Sequence, residues 1–437
     1  MAEALSVSPS YLNLIERNQR PLTAALMVRL AQGFDFDART LAGSAPGGGG
    51  EALRRRLADP LFADLAFDRA TIEDWAGAYP DAAEAFARAY DRVGQPADQR
   101  SDSIEAVGRE IARWRNHFVD LDASAETIAD ELRIANADLY GAIAERLRVR
   151  HQLQLRILPV DAMPDLLHRL DLHARQLQIS ELLDPASRTF TAAFQLGQIE
   201  AKAEIEPLVR GANFVERASE RLYRRHLTAY FAAAVMMPYE RFLRGCEATG
   251  YDVELLQRRF GAGFEQVAHR LTTLQRIGAR GLPFFMIRID RAGQVSKRYG
   301  GASISPLVEA EGRCPLWTLH SAFDSPGRLV VQLVALDDDD AGGRWLTLAR
   351  TVRPQGARIG GVSAEFVVGL GLDARLAAPL AAARGLDLTD GHATPIGLGC
   401  RACGRAQCPQ RAAPPQGRTL VFNERERGMS AFSFLGP

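Results

Sequence analysis

The stretch "PFFMIRIDRAGQVSKRYG", residues 283–300, is where the chain changes its period. Two short runs rich in Phe, Ile, Val and Tyr flank Arg291-Ala292-Gly293. That pattern predicts two strands joined by a turn. Downstream, "GRLVVQLVAL" (327–336), "RWLTLARTV" (344–352) and "AEFVVGLGL" (364–372) extend a strand-rich part. "DDDD" (337–340) reads as a solvated loop between two of them.

Upstream the apolar residues recur at three and four, the helical spacing. "AAEAFARAYDRV" (82–93), "SIEAVGREIARWRNHF" (103–118) and "GFEQVAHRLTTLQRIG" (263–278) are amphipathic on this count. "RTFTAAFQLGQIEAKAEI" (188–205) and "HLTAYFAAAVMMPYERFLRGCEA" (226–248) read as apolar helices. In "SAETIADEL" (124–132), Ser124 is placed as a helix N-cap with Glu126 in the first turn. "HQLQLRILPV" (151–160) alternates and predicts a half-buried strand. The fold class expected is α+β, with helices over the N-terminal two-thirds and strands at the C-terminal end.

The chain has 437 residues, 47% hydrophobic and 24% charged, so several packed domains are expected. Fifty-three basic residues balance 53 acidic ones, so any affinity for nucleic acid has to come from a local surface. No apolar run of about 18 residues is present, which argues against a helical membrane span. "MAEALSVSPS" lacks the basic start and apolar core of a signal peptide, and a cytoplasmic location is expected. "GSAPGGGG" (43–50) has linker composition. The expected organisation is a head over 1–42, this linker over 43–50, a helical region over 51–150, a helical domain over 151–278 and a strand-rich domain over 279–437.

The head begins "MAEALSVSPSYLNLIERNQRPL". A helix-turn-helix unit sets its second helix in the major groove and crosses the backbone with its first. Here "MAEALSV" is the crossing helix and "SPSYLNLIERNQR" the reading helix, with Ser8 as N-cap and Pro9 at the first position. Leu5, Leu12 and Ile15 point inward. Ser10, Tyr11 and Asn13 lie on the other side, where short polar groups reach base edges. Arg17, Asn18 and Arg20 are placed to meet phosphates. The competing reading is an amphipathic surface helix, since residues 1–42 hold four Arg against four acidic residues.

"GCRACGRAQCPQRAAPP" gives Cys400, Cys403 and Cys408, a C-x2-C turn with a third cysteine five residues on. Such a turn aims two thiolates at one metal. Cys314, in "GRCPLW", is the candidate fourth ligand; Cys246 reads as a buried apolar thiol. Three close cysteines and a distant one fit a [4Fe–4S] cluster, and Pro409 follows Cys408 as in many cluster-binding runs. Structural zinc is the alternative, and ordinary free thiols a third. Arg401, Arg405 and Arg411 would offset the thiolate charge.

Three resemblances carry these readings towards a function. "VSPSYLNLIERNQRPLTAALMVRLAQGFDFD" resembles the XRE helix-turn-helix family, whose first helix would precede Met1. "FTAAFQLGQ" (190–198) and "FAAAVMMPYERF" (231–242) are similar to the metal-binding helix and a later segment of the ImmA/IrrE metallopeptidases. In that motif two His and a Glu supply the metal ligands and the base. Phe194, Gln198 and Gln195 stand at those positions, so no catalytic residue is expected. The remaining pocket would offer Arg188, Tyr230, Tyr239 and Arg241 as polar contacts.

Taken in order, with "HRLTTLQRIGARGLPFFMIRIDRAGQVSKRY", "CPLW" and "TPIGLGCRACGRAQCPQRAAPP", the parts resemble the short-chain fatty-acid (ScfR-type) transcriptional regulators over nearly the whole chain. The resemblance implies control of propionate or acetate routes, a double-stranded DNA operator, CoA or a short-chain acyl-CoA as effector, and a homo-oligomer. The alternatives are a zincin-class metallopeptidase and a ligand-binding protein without DNA binding.

Overall fold

The structure is a computed structural model. It describes residues 7–16, 49–58, 67–94, 103–135, 138–303, 305–310, 313–336, 343–353, 364–389 and 392–435, with a few single positions between them before residue 67. The aspartate run 337–340 lies outside the described residues. The chain forms two compact units, Met1–Asp102 and Ser103–Pro437.

In the first unit, α1 (Pro9–Glu16) starts where the sequence places the reading helix. The Ser8 hydroxyl accepts the Tyr11 N–H at 3.2 Å, so Ser8 caps the helix. Helices α2 (Gly50–Leu57), α3 (Arg69–Ala78) and α4 (Pro80–Gly94) surround a small core of Leu53, Ile72, Ala83 and Ala87. Asp68 caps α3 by accepting the Thr71 N–H at 2.7 Å.

The second unit opens with α5 (Ser103–Arg113), α6 (Val119–Ala135) and α7 (Leu139–His151). Their apolar stripes share one core with the later helices, through Val107, Ile111, Phe118, Tyr223 and Tyr230. The division of the chain therefore falls at residue 102, inside the helical region read as 51–150. Helix α6 starts at Val119, five residues before Ser124, which corrects the N-cap placed there. Phe118 and Leu121 are buried and anchor the earlier start. Glu126, expected to serve the first turn, instead accepts the Glu240 N–H at 2.9 Å.

Strands β1 (Gln154–Leu158), β2 (His168–Asp171) and β3 (Gln176–Ser180) form a sheet in the order β1-β3-β2, with β1 and β3 parallel. Then follow α8 (Pro185–Glu200), α9 (Lys202–Gly211), α10 (Arg217–Met236), α11 (Tyr239–Thr249), α12 (Val253–Phe260) and α13 (Phe264–Thr272). Helix α13 ends six residues before the helix read over 263–278. The Thr272 and Thr273 hydroxyls bond back to the His269 and Arg270 carbonyls at 2.7 Å each, and such local bonds compete with a continuing helix.

Helices α8 and α10 cross closely at Gly197. A Cβ there would stand 2.8 Å from Phe231 Cδ1. Gly197→Ala is therefore expected to cost about 1–3 kcal/mol of stability through overpacking, read as a lower denaturation midpoint. An unchanged midpoint would show that the helices part freely.

Strands β4 (Phe285–Ile289), β5 (Val295–Tyr299), β6 (Val330–Leu336), β7 (Arg344–Val352), β8 (Phe366–Asp373) and β9 (Thr394–Ile396) make a second sheet. Its order is β5-β4-β8-β7-β6-β9, antiparallel except for the β6–β9 pair. A short α14 (Pro306–Glu309) lies between β5 and β6, and β10 (Leu420–Val421) pairs with β11 (Ser433–Phe434). Alternation buries both sheet faces. Met286 joins the helical core, while Phe285, Ile287 and Ile289 meet Trp317, Leu319 and Phe323 on the other side. The α+β expectation is met by this arrangement.

Candidate functional site: a basic cavity and a cysteine pocket

An open cavity of about 850 Å³ lies among α8, α9 and α10. Phe190 and Phe194 of α8, Ile205 of α9 and Ala229 of α10 supply apolar wall. The opposite character comes from Lys202, Arg221, Arg224, Arg225 and, from β5, Lys297. Glu206 is the one carboxylate in the wall, and it accepts two bonds from Arg224, at 2.7 and 3.0 Å. Among the described residues the side chains of Lys202, Arg221 and Arg225, all three in the cavity wall, have no hydrogen-bond or ion-pair partner. The positions 221, 224, 225 and 228 fall on one helical face, which is why these arginines converge.

Phe194 and Gln198, at the metal-ligand positions of the resembling motif, line the cavity, and Gln195 is buried behind it. The four pocket contacts expected from sequence are placed elsewhere. Tyr230 is buried and donates to Asp122 at 2.7 Å. Tyr239 donates to the Ala279 carbonyl at 2.8 Å. Arg241 pairs with Asp130 at 2.7 Å, and Arg188 bonds the Glu181 carbonyl at 2.8 Å. A polar group among apolar neighbours finds an internal partner wherever it can, so the two tyrosines turn into the core.

The internal partner belongs to a buried network. Asp122 of α6 meets Arg270 of α13 at 2.6 Å, both fully buried. His117 Nδ1 stands 3.3 Å from the same carboxylate. Arg270 also donates to the Met237 carbonyl and the Thr273 hydroxyl, each at 3.0 Å, and lies over the Tyr230 and Tyr239 rings. Burial raises the Asp122 carboxyl, but the Arg270 charge and the bonds from His117 and Tyr230 outweigh it and hold it below its ordinary value.

At the other edge of the large sheet, β9 runs into Gly397 and the cysteine loop. Cys314, Cys400, Cys403 and Cys408 line one small pocket with Pro315, Gly399 and Arg411. A Cβ on Gly397 would stand 2.7 Å from Cys403 Sγ, so the loop folds back tightly on the end of β9. The Ala412 N–H points to Cys400 Sγ at 3.4 Å. Buried Arg411 donates to the Cys400 and Cys403 carbonyls at 3.0 Å each, reaches Cys403 Sγ at 3.9 Å and covers the Phe434 ring. Among the described residues no three His, Cys, Asp or Glu side chains are placed to hold a metal ion as they stand. The donor set itself, four thiols beside a guanidinium and a backbone N–H, fits a group that needs thiolates. Cys246 is buried in the helical core, where desolvation pushes its thiol well up.

In the head, Ser8, Pro9, Ser10 and Asn13 are exposed and Tyr11 is half-buried on α1; Leu5 is buried, and Leu12 and Ile15 are half-buried. Arg17, Asn18 and Arg20 lie outside the described residues.

A zincin-like helical fold without its ligand residues, joined to a sheet that carries a cysteine loop, defines the class. Residues 148–272 match the IrrE N-terminal-like domain, and residues 273–432 match the C-terminal domain of the short-chain fatty acyl coenzyme A regulators. The chain is 34% identical to the HTH-type transcriptional regulator RamB of Mycobacterium tuberculosis, over 99% of this chain and 94% of that protein. It is 33% identical to a propionyl-CoA carboxylase regulator of Cereibacter sphaeroides, over 99% and 94%. A solved Mycobacterium tuberculosis transcriptional regulator superposes with a TM-score of 0.71 at 34% identity, covering 76% of this chain and 99% of that one. The chain belongs to the short-chain fatty acyl coenzyme A regulator family, and the relatives it matches are regulators. Among the described residues no helix is long and apolar enough to cross a membrane.

Proposed function

We propose that this chain is a cytoplasmic, DNA-binding regulator of short-chain fatty-acid genes that senses a short-chain acyl-CoA in the α8–α10 cavity. The observation that carries this reading is the cavity wall. Five cations face one carboxylate already held by Arg224. Coenzyme A carries several phosphate charges, which charge-assisted bonds from arginine suit. The volume lies within the usual range for a cofactor-sized ligand. Phe190 and Phe194 supply an apolar surface for a short acyl chain. The head would read an operator through Ser8, Pro9, Ser10, Tyr11 and Asn13, with Arg17, Asn18 and Arg20 on the phosphates, as a homodimer across paired half-sites. Cys314, Cys400, Cys403 and Cys408 would hold a [4Fe–4S] cluster, which when bound ties the loop around residue 314 to that of residues 400–408 and can carry an electron.

The test is a pair of titrations of the full chain, with coenzyme A and with pantetheine, which lacks the phosphates. Coenzyme A is expected to bind about 100-fold more tightly or better, as loss of two or more charged contacts implies. Equal affinity for the two, or none for coenzyme A, overturns the cavity reading.

A further inference from the structure

We propose that Lys297 reports the occupancy of the cavity to the six-stranded sheet, by dividing its ammonium between Glu265 and the bound anion. The inference rests on the reading of the cavity as an anion site. Among the described residues Lys297 is the one cavity-lining residue carried by that sheet. It sits on β5, an edge strand with a neighbour on one side only.

Its setting is electrostatically divided. In the β4–β5 register Lys297 stands opposite Arg288. Like charges directly opposite across two strands repel. Glu265 of α13 bridges them, 2.7 Å from the Lys297 ammonium and 3.0 and 3.2 Å from the Arg288 guanidinium. Burial raises the Glu265 carboxyl, but Lys297 and Arg288 together hold it below its ordinary value, so it is charged. Arg288 has further support from the Ser296 hydroxyl at 2.9 Å and the Phe366 ring. Lys297 has Glu265 and the open cavity.

An anion arriving in the cavity offers Lys297 a second partner. Glu265 keeps Arg288, and the like-charge opposition across β4 and β5 acquires a second neutralising group. The change passes along β5. The Lys297–Arg288 pair lies next to the register shift between Arg288 and Ile289. Two residues along the same face, Tyr299 rests against the His226 ring at 5.6 Å and the His269 ring at 4.6 Å. His226 follows the cavity residue Arg225 on α10, and His269 lies one turn beyond Glu265 on α13. One strand edge thus touches the cavity, its wall helix and the helix that holds Glu265.

Competition for one ammonium gives an unusual sign. The test titrates the full chain with coenzyme A in four forms: wild type, Glu265→Gln, Lys297→Gln and the double variant. Glu265→Gln is expected to tighten binding roughly threefold to tenfold, because the ammonium is released to the ligand. Lys297→Gln is expected to weaken it roughly tenfold. In the double variant the gain disappears, since Glu265 acts through Lys297; a gain that persists would be simple long-range repulsion and would overturn the proposal. Hydrogen exchange over residues 295–299 is expected to respond to coenzyme A in wild type and not in Lys297→Gln. Unchanged or weaker binding by Glu265→Gln also overturns it. Wild type that binds normally in that case leaves the cavity reading standing, whereas wild type that fails to bind coenzyme A refutes both.

Discussion

Asp122→Ala is expected to lower the stability of the second unit by about 3–5 kcal/mol, the cost of leaving a buried charge without its partner. The carboxylate is fully buried and serves three groups at once: Arg270 at 2.6 Å, Tyr230 at 2.7 Å and His117 at 3.3 Å. Alanine leaves the buried Arg270 guanidinium with no counter-charge, its remaining partners being the Met237 carbonyl, the Thr273 hydroxyl and the faces of Tyr230 and Tyr239. The double variant Asp122→Leu with Arg270→Met is expected to recover much of the loss, because it removes both charges together. The pair also sets an acid limit. The folded Asp122 carboxyl lies below its ordinary value of 3.8, so its contribution is present above about pH 4 and is lost as the pH falls through the folded value. Denaturant unfolding followed by fluorescence at neutral and acid pH checks both statements. Arg148→Ala, at an exposed pair with Glu145, is the control and should leave the midpoint unchanged. An Asp122→Ala midpoint equal to wild type would show that water reaches the network and that burial is not what makes it costly.

The same network explains which parts of the chain could be read from residues alone. Strands β4, β6, β7 and β8 were legible because their runs of Val, Ile, Leu and Phe mark strands buried on both faces, and the exposed edge strand β5 was legible from the turn that joins it to β4. Their junction was legible because Arg291-Ala292-Gly293 is a turn by chemistry. The parallel β1–β3 pair was half legible: "HQLQLRILPV" alternates, but the hairpin over 168–180 is short, polar and largely exposed on β2. The cavity was legible in position, through the two motif-like helices, and not in its residues. Tyr230 and Tyr239 look like ligand contacts because they interrupt apolar runs. The structure spends them on Asp122 and on the Ala279 carbonyl. Arg221, Arg224 and Arg225 look like the solvated face of a helix in "RASERLYRRHLTAYF". Their spacing with Thr228, set beside Lys202 and Ile205 on α9, was the available signal, and it needs the α9–α10 pairing to be interpreted. The cysteines differ from both. Sulfur spacing encodes a local turn directly, and Cys314, named as the fourth ligand from sequence, is brought to the other three by the fold, which sets the loop after α14 beside the loop after β9.

That convergence sets the largest chemical effect expected of a single atom in this chain. Protein purified without oxygen is expected to carry about four irons with matching acid-labile sulfide and a broad visible absorption, and Cys403→Ser is expected to lose all three. Cys403 is the choice because it is held from two sides. Gly397 lets its sulfur approach the end of β9, and Arg411 reaches both its carbonyl and its sulfur. Serine offers a hydroxyl that does not ionise near neutral pH, so the ligand is lost while the side chain remains small. Cys246→Ser is the matched control. Its sulfur lies in the helical core with a thiol pushed well up by burial, and the iron content should not change. Arg411→Met tests the positive charge separately. Without it the thiolates lose the guanidinium that lies against Cys403, and the variant should hold less iron than wild type. One zinc and no colour in the wild type would keep the four thiols as ligands and overturn the iron–sulfur assignment. Wild type free of both metals, or full iron content in Cys403→Ser, would overturn the ligand set itself.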